Sequence, residues 1–166
     1  DIAHLGGTSA EEGLDTTLWE SVRMRLPWLL INLLTAFLAS FTVKMFESTI
    51  AKVVALSATM TIVSGMGGNA GTQTLTVAVR GLATKSLTRA NAMRVVRREL
   101  AVGLTNGVLF GLVLGTVPYI WFHDPKLSLV IGLAMIVNLF AAAVGGILIP
   151  LGLEKAGADP ALASGT

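Results

Sequence analysis

Four long stretches of this sequence carry no charged residue. Eighteen residues separate Arg25 from Lys44, 27 separate Lys52 from Arg80, 24 separate Glu99 from Asp124, and 27 separate Lys126 from Glu154. About 20 mainly apolar residues are enough to cross a bilayer core as a helix. Four such runs in a chain of 166 residues exceed what a soluble core of that size can bury. A span in lipid must satisfy its own backbone hydrogen bonds, so each run is expected to be helical. The predicted fold is all-α, a polytopic helical membrane protein with four spans at about 26–46, 50–80, 99–122 and 127–153. Charged residues make up 13% of the chain, roughly half the usual share of about 25%. High hydrophobicity with low net charge excludes disorder. The absence of cysteine excludes a disulfide scaffold, a thiolate zinc site and a thiol nucleophile, and leaves the redox compartment unreadable.

Residues 1–25 are polar and are expected to form a connecting region before the membrane domain at 26–166. Ser9 followed by Glu12 fits a capping box, and Leu14, Leu18, Trp19 and Val22 then share one helical stripe. Such a helix either lies on the membrane surface or docks against a regulatory domain or the mouth of a pore. An acidic segment before the first apolar run argues against a removable signal peptide. Residues 80–98 hold Arg80, Lys85, Arg89, Arg94, Arg97 and Arg98 with no carboxylate, and the other turns are short and nearly balanced. The positive-inside rule therefore predicts a cytoplasmic 80–98 loop and both termini on the cytoplasmic side. Beside a membrane span, topology explains this basic cluster better than nucleic-acid binding does. Thr88 is placed to cap a basic helix running into the third span. Trp28, Tyr119 and Trp121 read as interfacial anchors, the last two beside the His123-Asp124-Pro125 turn.

Gly103, Gly107, Gly111 and Gly115 repeat every fourth residue in the third span and so share one helix face. That spacing lets a neighbouring backbone approach closely, whether it belongs to this chain or to a second copy. The second span is less ordinary. Its latter half reads SGMGGNAGTQTLT, with Gly65, Gly67, Gly68 and Gly71 followed or interrupted by Asn69, Thr72, Gln73, Thr74 and Thr76. Each glycine weakens a helix by about 1 kcal/mol relative to alanine, and unpartnered amides in lipid cost several kcal/mol. A segment that carries both penalties at one depth fits either a close helix crossing or a wet polar path. Amide, hydroxyl and carbonyl oxygens are hard donors that suit hydrated Mg²⁺ or Ca²⁺ rather than soft metals. No P-loop lysine follows the glycines, so a phosphate cradle is rejected. His4 and His123 fall on opposite sides of the expected topology and no span holds a pair of carboxylates, so no enzyme constellation converges.

At GMGGNAGTQ (Gly65 to Gln73) the sequence resembles the MgtE family of magnesium channels. The surrounding order agrees: RLPWL at Arg25 to Leu29, Phe46-Glu47 at the outer end of the first span, VRGLAT at Val79 to Thr84, then Pro150 and Gly157-Ala158-Asp159-Pro160-Ala161. The opening Asp1-Ile2 with Leu5-Gly6-Gly7 looks like the exit from that family's CBS-type regulatory domain. The resemblance implies a homodimeric Mg²⁺ channel of a bacterial inner membrane, with a pore between protomers lined by the second and fifth spans. It also implies cytoplasmic Mg²⁺-sensing domains that act through a plug-like connecting helix, here residues 8–24. The family's fifth span supplies a pore aspartate; residues 157–166 match only the start of that segment, and no residue here takes the aspartate's role.

The expected function is passage of largely hydrated Mg²⁺, with Gly67, Gly68, Asn69, Gly71, Thr72 and Gln73 lining the narrow part. Glu47 near the outer mouth and Asp159 near the inner end are expected to concentrate cations electrostatically. The partners expected are membrane lipid, a second copy and the sensing domains, with no nucleic acid. Two alternatives stand beside this one. A secondary transporter would use a broken helix in span two and couple to H⁺ or Na⁺. A membrane assembly module would use the glycine row only to dimerise.

Overall fold

A computed structural model describes residues 15–88 and 90–157, apart from the side chains of Trp28 and Lys52. Ser9, Glu12, Leu14, His4, Arg89, Asp159 and the rest of the 158–166 segment lie outside the described residues. Among those described, the chain forms helices and their connections: α1 (Leu18–Met45), α2 (Glu47–Lys52), α3 (Val54–Ala83), α4 (Ala92–Phe122) and α5 (Pro125–Lys155).

α1 begins where Thr17 donates from its backbone N–H and its hydroxyl to Glu20 Oε2, at 3.2 and 2.7 Å. These two bonds hold the Glu20 carboxyl below its ordinary pKa. The helix then bends by 40° between Leu18–Pro27 and Leu29–Met45. Pro27 supplies the cause, since it has no N–H to donate and its ring crowds the carbonyl of Arg23. The connecting helix expected before the first span thus differs in form. Its described part, Leu18–Arg25, is the first arm of one bent helix, with Leu18 and Trp19 exposed.

The turns are built by specific side chains. His123 adopts a left-handed φ of 53° and ends α4. Asp124 Oδ1 then accepts from the N–H groups of Lys126 and Leu127 at 2.9 and 3.1 Å, with Pro125 at the first helical position. Proline is favoured there because its missing N–H would have no helical partner. Between α3 and α4, Asn91 rather than Thr88 holds the N-cap position of α4, and its side chain ties back into the loop instead of bonding the helix. Its Oδ1 accepts from the Thr88 N–H at 2.8 Å, its Nδ2 donates to the Ser86 carbonyl at 2.7 Å, and α4 starts one residue later.

α5 lies between α3 and α4, which meet each other only weakly. Leu127, Ile131, Met135, Leu139, Ala143 and Ile147 recur every fourth residue and form the buried stripe of α5. Leu114 joins the core from α4, and Val63, Met66 and Ala70 pack on it from α3. α1 stays largely apart, with Leu29, Leu33, Phe37 and Phe41 on its surface. Among the described residues two helices, α4 and α5, are long and apolar enough to cross a membrane, and the bent α1 is a third if its arms form one span. α3 has the length, at 30 residues, but glycine, amide and hydroxyl groups interrupt its apolar run.

Candidate functional site

α3 is unbroken from Val54 to Ala83, straight through its four clustered glycines. Packing against α5 offsets their poor helix propensity. Gly67 is buried, and a methyl group there would collide with the side chain of Asn138 from α5. Asn138 Nδ2 uses this space to donate to the Val63 carbonyl at 2.6 Å. That carbonyl lies four residues before Gly67, so the amide reaches it only because residue 67 has no side chain. Further along, a methyl on Gly146 of α5 would lie 2.8 Å from the Gly71 carbonyl oxygen and 2.9 Å from Thr74 Cβ. Gly67 and Gly71 therefore lie on the side of α3 where its backbone comes close to α5.

The opposite side of α3 is open. A methyl on Gly65 or Gly68 would meet nothing within 4 Å, and Asn69, Thr72 and Thr76 are exposed. At 100° per residue these five positions fall on one helix face. Thr72 donates its hydroxyl proton to the Gly68 carbonyl at 2.9 Å, and Thr76 donates to the Thr72 carbonyl at 2.8 Å. With both protons committed inward, the oxygens offer lone pairs outward. The face is a row of acceptors, with the Asn69 amide among them. Gln73 sits at its margin and lines a cavity between α3 and α4. The six residues expected to act as one lining thus divide between two sides of the helix.

The glycine row of α4 faces α5. A methyl on Gly111 would stand 2.7 Å from the Gly132 carbonyl oxygen, and one on Gly107 would stand 3.0 Å from Ile136 Cα. Gly103 abuts Ala143, and Ser128 donates its hydroxyl to the Gly115 carbonyl. These contacts leave the four glycines no room to face a pore. Glu47 opens α2 and borders a hollow of about 470 Å³ that it shares with Lys44, so a cation there would meet charges of both signs. Asn138 escaped the sequence reading; its only signal is being the lone amide in the 27-residue uncharged run after Lys126. Among the described residues no group of three or more His, Cys, Asp or Glu side chains is placed to hold a metal ion.

The sequence profile of MgtE, a divalent cation transporter, matches residues 60–166. The magnesium transporter MgtE of Enterococcus faecalis is similar, at 36% identity over 165 residues, covering 99% of this chain and 36% of that protein. The magnesium transporter MgtE of Bacillus subtilis is 33% identical over 165 residues, 99% of this chain and 37% of its own length. That of Thermus thermophilus is 36% identical over 169 residues, with the same coverage of 99% and 37%. The chain therefore spans little more than a third of these relatives.

Proposed function

The chain belongs to the MgtE family of divalent cation transporters, and from that premise we propose that it is the membrane part of a Mg²⁺ channel. Four spans, formed by α1, α3, α4 and α5, cross the bilayer with both ends of the chain on the cytoplasmic side. Residues 1–25 connect to Mg²⁺-sensing domains of a longer protein, and residues 26–166 form the membrane domain. Mg²⁺ passes along the open face of α3, past Gly68, Asn69 and Thr72, between two copies of the chain. Gly67 and Gly71 fix α3 against α5 so that this face points outward.

The observation that carries the reading is the uncovered row of acceptors on α3. Polar groups at membrane depth are tolerated only against protein or water, and the described residues leave that face bare. Mg²⁺ gives up its water reluctantly, and the waters of a hydrated cation point their hydrogens outward. Lone pairs on Thr72, Thr76 and Asn69 accept them without stripping the shell. Oxygens without charge discriminate divalents poorly, so a carboxylate from the family's fifth span completes the selectivity. The unbroken α3 favours this path over a transporter built on a broken helix.

The test is Mg²⁺ flux in proteoliposomes, using this chain and the same chain extended through a fifth span bearing an aspartate. Flux that follows the electrochemical gradient and falls at least tenfold with Asn69→Ala is expected from the extended form. Flux coupled to H⁺ or Na⁺ would point to a transporter. A folded, dimeric but silent extended form would leave only an assembly module.

A further inference from the structure

The first two turns of α4 carry Arg94, Arg97 and Arg98, all three exposed. At 100° per residue they fall within an arc of about 100° on one side of the helix. None of them forms an ion pair or a side-chain hydrogen bond among the described residues. Glu99 lies beside Arg98 at the edge of the α3–α4 cavity, so it offsets at most one of the three charges. Like charges at i, i+3 and i+4 repel, cations near a helix N-terminus oppose its dipole, and the first turn holds no acidic residue. The arrangement is unfavourable until an anion joins it.

Topology accounts for basic residues in this connection but not for their placement. The positive-inside bias counts lysine and arginine alike and is met by charges anywhere in the loop. Here the charges are guanidinium forks, which match phosphate oxygens in pairs, and they share one arc. That arc continues into the span as Ala101, Leu104 and Val108, all exposed, on a helix long and apolar enough to cross a membrane. We propose that this face of α4 binds an anionic phospholipid, with the three arginines on the headgroup phosphate and an acyl chain along the strip behind them. Arg80 and Lys85, both exposed on the same connection, extend the attracting field. A zwitterionic headgroup would bring an ammonium among cations, and an acidic polymer would leave the apolar strip uncovered. The site requires only that α4 crosses a bilayer, and it lies off the acceptor row of α3.

Delipidated full chain in detergent, titrated with dioctanoyl phosphatidylglycerol or phosphatidylcholine and read by native mass spectrometry, tests this. The expected result is one phosphatidylglycerol per chain, held about tenfold more tightly than phosphatidylcholine. Arg94→Gln, Arg97→Gln and Arg98→Gln should each weaken it about fivefold, the worth of one basic residue at an anionic surface. Lys126→Gln, which removes the same charge at the far end of α4, should leave it unchanged. Arg98→Lys keeps the charge but loses the fork, and should weaken binding about threefold; it carries the test should a glutamine variant lose its native helical content. Equal affinity for the two lipids, or parental affinity in folded glutamine variants, overturns the proposal. Displacement by glycerophosphoglycerol, the headgroup without acyl chains, would reduce the site to a phosphate-ester patch. Displacement by polyglutamate at equal charge would assign the arginines to an acidic protein surface, and either outcome overturns the lipid site. Mg²⁺ flux does not enter the readout, so a failure here is distinct from a failure of the channel reading.

Discussion

Gly67 and Gly68 are neighbours on α3 with opposite surroundings. A methyl on Gly67 displaces the Asn138 amide from the Val63 carbonyl, whereas a methyl on Gly68 enters open space. Alanine is better than glycine within a helix by about 1 kcal/mol, and overpacking costs about 1–3 kcal/mol. Gly67→Ala is therefore expected to lower the melting temperature in detergent, and Gly68→Ala to raise it slightly, the pair differing by about 2 kcal/mol. Equal melting temperatures would mean that α5 does not press on Gly67. Flux should respond in the reverse order, because only the Gly68 methyl intrudes on the acceptor row. The sequence showed that residues 65–73 are unusual, since glycine and amides in an uncharged run are visible by composition. It could not separate the two sides of the helix, because the partner side is defined by Asn138, 71 positions beyond Gly67.

The helices were legible as long uncharged runs, and the His123-Asp124-Pro125 turn as a stop followed by a start. The repeat of four also announced that one face of α4 permits close approach. What it packs on was not legible, because spacing within one helix says nothing of the neighbour. Backbone meets backbone where Gly111 faces the Gly132 carbonyl, at 2.7 Å for an added methyl, and neither side can yield by rotating a side chain. Gly111→Ala should cost about 1–3 kcal/mol, measured as a lowered detergent-denaturation midpoint. Gly152→Ala, with nothing within 4 Å, serves as the matched control and should raise the midpoint slightly, as Gly68→Ala does. The start of α1 responds to pH instead. Hydrogen bonds from Thr17 lower the folded-state pKa of Glu20, so its contribution is complete above the ordinary carboxylate value and is lost as pH falls through the lower, folded one. Acidification into that range should fray the first turn and speed amide exchange at Ser21 and Val22, and Glu20→Gln should abolish the pH dependence.

For the whole molecule, the decisive property is what it leaves uncovered. α3, α4 and α5 bury one another, yet the acceptor face of α3 and nearly the full length of α1 find no cover among the described residues. In a bilayer, exposed apolar surface on α1 is compatible with lipid, but a row of threonine, asparagine and glycine is not. The proposed second copy across that face would resolve the conflict, with water and ions between the two helices. Because the chain has no cysteine, one introduced thiol reports on this directly. Thr72→Cys lies on the open face, whereas Thr74→Cys is buried against the rest of the chain. A disulfide needs Cα atoms within about 7 Å, so a pore wide enough for a hydrated ion calls for a short bifunctional thiol linker rather than direct oxidation. With such a linker, membranes containing the Thr72→Cys chain extended through its fifth span should give a covalent dimer, and those with Thr74→Cys should stay monomeric. Added Mg²⁺ should slow the Thr72→Cys reaction by occupying the space that the linker must cross. Monomer in both cases, from protein that remains folded, would place the acceptor row of α3 somewhere other than between two copies.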